Sequence, residues 1–174
     1  MAIEVRPVRP GEYEEAGEVT VRAYREFGPH NTGDPDQRER EEHSWDDYFD
    51  QLRDIAGRDK MAVVLIAIEH GKILGTATLE LEGRIDTEHG ELEPDQAHLR
   101  MLGVDPAARG RGVGRLLMQA CIDESRAANK TIFTLNTTER MKAAQNMYEA
   151  LGFERQPDHV FPDGFVLLSY SLQL

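Results

Sequence analysis

Cysteine is nearly missing from this chain, since Cys121 is the only one among its 174 residues. A single cysteine excludes a disulfide within the chain and fits a reducing compartment, so we expect a cytoplasmic protein. Positive charge is also scarce: 20 lysines and arginines stand against 32 aspartates and glutamates, a formal net charge of −12. Nucleic acid and anionic membrane surfaces attract basic proteins, and we therefore expect neither as a partner.

Long hydrophobic runs are missing as well. The longest purely apolar run, Met61 to Ile68, is far shorter than the roughly 20 residues that cross a bilayer as a helix. Residues 1–6 lack the apolar centre of a signal peptide. Hydrophobic residues still make up 40% of the chain, enough for a packed core, and the length suits a single domain over residues 1–174.

The spacing of apolar residues predicts strands and helices in mixed order. A strand at Ile3–Val8 precedes a helix from Glu12 to Gly28, and a second helix extends through Trp45 to Ala56. The later predicted elements are strands at Met61–Ile68, Lys72–Glu82, His98–Val104, Thr131–Leu135, Phe153–Gln156 and Phe165–Leu172, with helices from Val113 through Cys121 and at Met141–Leu151. The order β-α-α-β-β-β-α-β-α-β-β indicates an α/β or α+β domain with a mixed sheet.

A basic, glycine-rich turn connects the strand at His98–Val104 to the helix that follows it. Glycine stands at alternate positions, Gly110, Gly112 and Gly114, so the backbone can turn tightly and bring several N–H groups together. The positive dipole end of the next helix adds to this anion site, which suits a pyrophosphate. Three arginines supply positive charge in the same turn: Arg109, Arg111 and Arg115. The alternative is that these arginines are only solvated surface residues.

Two familiar nucleotide motifs do not fit this turn. A P-loop needs Lys and then Ser or Thr where this chain has Arg115, and a Rossmann turn needs glycine at that same position. The spacing that fits is Gln/Arg-x-x-Gly-x-Gly/Ala, present as Arg109-x-x-Gly112-x-Gly114.

With this motif, the chain resembles the GNAT acetyltransferase superfamily. Residues 98–114 are similar to the fourth strand and pyrophosphate loop of that family. Ala144 and the run Met147–Phe153 resemble its Ala-x-x-Leu-Tyr-x-x-Leu-Gly-Phe segment. The resemblance implies a mostly antiparallel sheet of about seven strands flanked by about four helices.

The resemblance also implies acetyl-CoA as co-substrate, with its pantetheine arm between the splayed fourth and fifth strands. Backbone groups of Leu102 and Val104 would bind the pantetheine amides, and amides of the glycine turn would hold the pyrophosphate. The implied cofactor-binding residues are Leu102, Gly103, Val104, Arg109, Gly110, Arg111, Gly112, Val113, Gly114, Arg115 and Asn146.

Tyr148 stands where the family places its general acid, which protonates the departing thiolate. Its alternative role is structural, since Ala144, Tyr148 and Leu151 form an apolar stripe on one helix. The thioester carbonyl would be polarised by a backbone N–H near Leu102 or Gly103, at an expected bulge.

His98 aligns with the position where many relatives carry a glutamate as general base. Histidine suits that task because its ordinary pKa lies nearest neutrality. The alternatives are a structural histidine, with Glu80 or Glu82 as the base. A second departure is Met141, where many members have an asparagine that contacts pantetheine; Asn136 and Asn146 are candidates to replace it.

A metal centre is not expected, because the other histidines show no metal-ligand spacing and paired cysteines are lacking: His30, His43, His70, His89 and His159. The expected function is N-acetyl transfer from acetyl-CoA to a primary amine, directly within a ternary complex. The alternatives are a non-catalytic acyl-CoA-binding module of the same fold and a longer acyl donor.

The acceptor would lie among three loops, at about residues 28–37, 83–96 and 157–164. Their acids would concentrate a cationic amine, or else they only keep the protein soluble. The acids are Asp34, Asp36, Asp86, Glu88, Glu91, Glu93, Asp95, Asp158 and Asp163. The expected partners are thus a small-molecule or peptide amine and, as a homodimer, a second copy of the chain.

Overall fold

One open, mixed sheet of seven strands forms the centre of the structure, a computed structural model that describes residues 2–28, 35–84, 90–162 and 164–174, with 35–43 as backbone only. The strands are β1 (Glu4–Pro7), β2 (Val63–Glu69), β3 (Lys72–Glu80), β4 (Gln96–Val104), β5 (Ile132–Thr137), β6 (Glu154–Val160) and β7 (Val166–Gln173). Their order across the sheet is β1-β2-β3-β4-β5-β7-β6. All neighbours are antiparallel except β4 and β5, which are parallel. The predicted fold class is confirmed.

Five helices flank the sheet within the described residues: α1 (Tyr13–Tyr24), α2 (Pro35–Arg53), α3 (Ile55–Asp59), α4 (Val113–Ala127) and α5 (Lys142–Ala150). The helix predicted to extend through Ala56 is two helices, because Asp54 starts a new one. Its Oδ1 accepts a hydrogen bond from the N–H of Gly57 at 2.9 Å, as an N-cap residue does. The buried Arg58 then donates to the carbonyl of Leu52 at 3.0 Å and so caps the end of α2.

Several strand boundaries differ from those predicted. Met61 precedes β2 and is 55% exposed. Its N–H donates to the carbonyl of Arg58 and so belongs to the end of α3 rather than to the strand. β3 ends at Glu80 rather than at residue 82. β6 extends to Val160, through residues predicted as a loop, with a register shift between Gln156 and His159. Pro157 lies within that shift, where its missing N–H is tolerated.

Alternate residues of each strand pack against different helices. In β2, Val64 and Ile66 join a core with α1 and α3, whereas Leu65 and Ala67 join the larger core beneath α4 and α5. Thr76 of β3 hydrogen-bonds Thr20 of α1, on the first of these faces. The centre of the sheet is thus covered on both faces, with α1 packed against β4 on one face and α4 on the other.

Candidate active site

The parallel pairing of β4 with β5 stops half-way along β4. It begins at Gln96 opposite Ile132 and ends at Leu99 opposite Leu135. Beyond that point β5 pairs only with β7, and residues 100–104 of β4 pair only with β3. A wedge therefore opens between the two strands, and the backbone groups on its β4 edge can hydrogen-bond an extended ligand as a further strand would.

A bulge in β4 lies on the edge of this wedge. Arg100 pairs with Thr78 and Gly103 pairs with Thr76, so Met101 and Leu102 together oppose one residue of β3. Met101 has φ of 51°, a value that non-glycine residues adopt infrequently. A bulge is therefore present where one was expected, and it includes Leu102.

The glycine turn lies just beyond the end of β4. Gly110 and Gly112 have φ of 76° and 79°, and nothing stands within 4 Å of a Cβ atom placed on either. Gly112 is the N-cap of α4 and supplies no capping side chain. Among the described residues, no backbone N–H from residue 110 to residue 115 has a hydrogen-bond partner. These N–H groups and the dipole of α4 fit the diphosphate of a coenzyme.

The three arginines of the turn have different surroundings. Arg109 forms an ion pair with Glu26, which follows α1, and its Nη2 donates to the carbonyl of Ala23 at 3.2 Å. Arg111 binds Glu69 at 2.6 Å, and this hydrogen bond lowers the pKa of the Glu69 carboxyl. Arg115 is exposed and makes no ion pair with a described residue. Two of the three charges are therefore shared with carboxylates of neighbouring elements.

Gly114 lies within the first turn of α4 and serves close packing. A Cβ atom there would lie 3.5 Å from Sδ of Met147 in α5 and 3.6 Å from Cγ2 of Val104 in β4. A small residue at this position thus lets the glycine turn, the end of β4 and the helix that carries Tyr148 come together.

Tyr148 is only 4% exposed and faces the sheet from α5. Its ring packs against those of Phe153 at 5.8 Å and Tyr170 at 6.0 Å between centroids. Burial, with smaller effects of Cys121 and Tyr170, raises the pKa of Tyr148 above its ordinary value of 10.0. The hydroxyl therefore keeps its proton at neutral pH and can donate a hydrogen bond there. The same burial is also what the alternative role of Tyr148, a core residue on the apolar stripe of α5, requires.

His98 is 6% exposed and lies in the part of β4 that still pairs with β5. Its Nδ1 is 2.7 Å from the Oγ1 of Thr134, the residue directly opposite in β5. On the other side it stands opposite Glu80 of β3, so the three side chains form a row across three strands. The row lies on the sheet face covered by α1 to α3.

The two alternative bases are separated by the structure. Glu80 is fully buried beside His98, and its Oε1 lies 3.8 Å from Nη1 of Arg100. Glu82 is exposed and follows the end of β3. Glu80 thus belongs to the same polar row as His98, whereas Glu82 is outside the sheet.

The two asparagines proposed to replace the one that contacts pantetheine in many relatives lie in different parts of the structure. Asn136 lies beyond the last β4–β5 pair, where its Oδ1 accepts a hydrogen bond from Ser169 at 3.0 Å. Asn146 is exposed on α5. Met141 is the N-cap of α5, and its Sδ lies 3.4 Å from Oγ1 of Thr137. Of the two asparagines, Asn136 is the one placed at the wedge.

Tyr24 and Tyr48 pack with Met101 of the bulge, although the sequence patterns assigned neither of them to a site. Tyr24 ends α1 and lies over β4, and its ring meets that of Tyr48 edge-on at 6.1 Å. Burial is the main cause that raises the pKa of both hydroxyls. Tyr24 directly follows the apolar position Ala23 in the helical pattern, so periodicity alone made it one core residue among many.

The acidic loops are described only in part. Glu91, Glu93 and Asp95 are exposed. Asp95 accepts a hydrogen bond from Thr131, and Asp158 binds Arg155 at 2.7 Å. The other acids named for the acceptor loops lie outside the described residues or side chains: Asp34, Asp36, Asp86, Glu88 and Asp163.

Within the described ranges, no helix combines the length and apolar composition needed to cross a membrane. The same residues contain no cluster of three His, Cys, Asp or Glu side chains arranged to hold a metal ion. Cys121 is buried, and burial raises the pKa of its thiol to about 12.

The splayed strands, the bulge and the glycine turn before α4 define a domain of the acetyltransferase type. A sequence model of the acetyltransferase (GNAT) family matches residues 21–153, a range that includes all three features and Tyr148. The chain belongs to the acetyltransferase (GNAT) family.

Curated relatives match part of the chain. A mycothiol acetyltransferase of Nocardia farcinica is 39% identical over 72 residues, which are 41% of this chain and 23% of that protein. The N-alpha-acetyltransferase RimI of Mycobacterium tuberculosis is 33% identical over 66 residues, 38% of this chain and 40% of that protein. The matches span about a fifth to a half of the length of these relatives.

Solved structures share the fold along the whole chain. A GCN5-related N-acetyltransferase from Rhodopseudomonas palustris superposes with a TM-score of 0.72 at 19% identity, covering 100% of this chain and 97% of that one. The yncA structure from Salmonella typhimurium, which contains acetyl-CoA as its cofactor, has a TM-score of 0.66 at 20% identity, covering 100% and 95%.

Proposed function

We propose that this chain is an N-acetyltransferase that moves the acetyl group of acetyl-CoA directly to a primary amine in a ternary complex. The observation that carries the proposal is the wedge between β4 and β5, with a bulge on one edge and the glycine turn at its end. The extended pantetheine arm of acetyl-CoA, with a diphosphate at its end, matches the shape of the wedge and the N–H groups of the glycine turn.

Backbone groups of the chain would make most of the hydrogen bonds to acetyl-CoA. Leu102 and Val104 would hydrogen-bond the pantetheine arm along the edge of β4 that lacks a strand partner. The N–H groups of residues 110–115 would bind the diphosphate, with Arg115 as the arginine that has no carboxylate partner among the described residues. Asn136 is the better-placed asparagine for the pantetheine.

Transfer forms a bond between the amine nitrogen and the acetyl carbon and breaks the bond from that carbon to sulfur. The amine must first lose a proton, which His98 would accept, directly or through water. A backbone N–H at the bulge would polarise the carbonyl. Tyr148, whose hydroxyl is protonated at neutral pH, would give its proton to the sulfur as the thiolate leaves, and the second proton lost by the nitrogen as the amide forms would restore it through solvent.

The acceptor would be a cationic amine. The exposed acids Asp46, Asp47 and Asp50 of α2 and Glu91 and Glu93 before β4 would attract positive charge to the face that carries His98. Polyamines or aminoglycoside-like molecules would then be preferred over acidic amino acids.

The test is an acetyl-CoA consumption screen over polyamines, aminoglycosides, amino acids, peptide N-termini and lysine peptides. Amine-dependent release of free thiol, above the rate with buffer alone, is the expected result. Acetyl-CoA binding by calorimetry without release of thiol for any amine would instead favour the non-catalytic acyl-CoA-binding module.

A further inference from the structure

A second tyrosine lies against β4 immediately after the bulge. Tyr24 is the last residue of α1 and is 9% exposed. A Cβ atom on Gly103 would lie 3.4 Å from Cε2 of Tyr24 and 2.8 Å from Cβ of Ala23. The absence of a side chain at Gly103 therefore lets the Tyr24 ring approach the backbone of β4.

Tyr24 and Tyr148 approach the wedge from opposite faces of the sheet. Tyr24 packs with Met101 of the bulge in the core beside α1 and α2, whereas Tyr148 belongs to the core beneath α4 and α5. Tyr148 nevertheless contributes to the raised pKa of Tyr24, after burial and Tyr48. The two side chains are therefore near enough for the ionisation of one to be affected by the other.

Neither hydroxyl forms a hydrogen bond with any other described residue. Neither oxygen is among the buried polar atoms that lack a partner in the described part of the chain, so both hydroxyls keep access to the space around them, where a ligand atom can accept their hydrogen bonds. Both hydroxyls also stay protonated at neutral pH, because burial raises their pKa values. Each can therefore donate a hydrogen bond to a group in the wedge.

We propose that Tyr24 is a second functional tyrosine, whose hydroxyl donates a hydrogen bond to the carbonyl oxygen of the bound acetyl thioester. This assignment rests on the proposed function. Tyr24 is the tyrosine that packs on the bulge, whose N–H groups are proposed to polarise the carbonyl, while Tyr148 on α5 is the one proposed to protonate the sulfur. The oxygen gains negative charge during transfer, so the hydrogen bond strengthens as the reaction proceeds.

The test compares the affinities of acetyl-CoA and CoA, because only the former has the carbonyl. In Tyr24→Phe we expect the dissociation constant of acetyl-CoA to rise about three- to tenfold while that of CoA stays unchanged, measured by calorimetry. With an amine substrate, kcat should fall by about 10²–10³-fold. Tyr13→Phe is the matched control: it removes a hydroxyl at the other end of α1, one that binds Asp59 at 2.6 Å, and should leave the ratio of affinities unchanged.

An equal loss of affinity for both ligands would make Tyr24 a structural residue and overturn the proposal. Unchanged affinities with kcat within about twofold of the wild type would overturn it as well. Wild-type protein that binds acetyl-CoA but acetylates no amine would contradict the proposed function, and the affinity ratio would still decide the role of Tyr24.

Discussion

Among single residues, the hydroxyl of Tyr148 has the most direct proposed role, proton transfer to the departing sulfur. Tyr148→Phe keeps the ring between Phe153 and Tyr170 and removes only the proton donor. We expect kcat to fall by about 10²–10⁴-fold with acetyl-CoA affinity unchanged, as measured by steady-state kinetics and calorimetry. In the wild type, kcat should not decline from loss of this proton below about pH 10, since burial raises the pKa of Tyr148 above 10.0. A kcat within about twofold of the wild type would leave Tyr148 a core residue.

His98 yields a prediction about pH. If it is the base, log(kcat/KM) rises with pH as the imidazole loses its proton, and His98→Gln removes that inflection. Thr134→Val should move the inflection, because it removes the partner 2.7 Å from Nδ1, whereas Thr134→Ser should preserve it. His70→Asn, in the exposed turn between β2 and β3, is the control histidine. A profile unchanged in His98→Gln would assign the role to Glu80, its buried neighbour.

At the scale of elements, the glycine turn and α4 should act as one anion site. Gly112→Glu places a carboxylate beside the N–H groups of residues 110–115 and should abolish acetyl-CoA binding in calorimetry. Gly90→Glu is the matched control, because Gly90 also has a positive φ, 80°, and open space around it. Equal acetyl-CoA affinities in the two folded variants would contradict the assignment of the turn.

The Arg6–Glu12 ion pair, which connects β1 to the residue before α1, should contribute to the stability of the protein in acid. Glu12 accepts hydrogen bonds from Arg6 at 2.6 Å and from the N–H of Arg9 at 2.8 Å, and the Arg6 bond leads the causes that lower its pKa from 4.5 to about 2. A lowered pKa in the folded state stabilises the protein above about pH 4.5, and this contribution is lost as the pH falls toward 2.

Glu12→Gln should therefore lower the free energy of unfolding at neutral pH and flatten its decline between pH 4.5 and 2, measured by denaturation at a series of pH values. Glu14→Gln, exposed in the first turn of α1, is the control. Identical pH dependence in the two variants would show that the Arg6–Glu12 pair is not linked to stability.

At the scale of the whole molecule, a charge of −12 should affect how acceptors arrive. Attraction between a polycationic amine and the exposed acids is screened by salt, so kcat/KM should fall as ionic strength rises past ~0.1 M. A neutral amine measured in parallel should show little change. A preferred acceptor that is neutral or anionic, with rates indifferent to salt, would show that the acids serve only solubility.

Features of the fold and the site that depend on residues close together in the chain could be predicted from the sequence, whereas features that join distant residues could not. The order of most strands and helices along the chain and the turn at residues 109–115 follow from patterns that neighbouring residues make together, whereas the sheet and the bulge near Leu102 were implied by the resemblance to the acetyltransferase family. Asp54 was missed because a single capping carboxylate looks like any other acid on a solvated helix face. Tyr24 was missed because its significance comes from Gly103, 79 positions away in the chain, which no periodicity connects to it.

The central claim is direct transfer from acetyl-CoA to an amine, and intact mass spectrometry tests it most directly. The protein is mixed with acetyl-CoA alone and then with its best amine from the screen. We predict that the protein mass does not change in the first step, and that the second step yields N-acetylated amine with one free thiol per product. A protein that gains an acetyl group before any amine is added, or an amine that stays unmodified while acetyl-CoA is bound, would contradict the account.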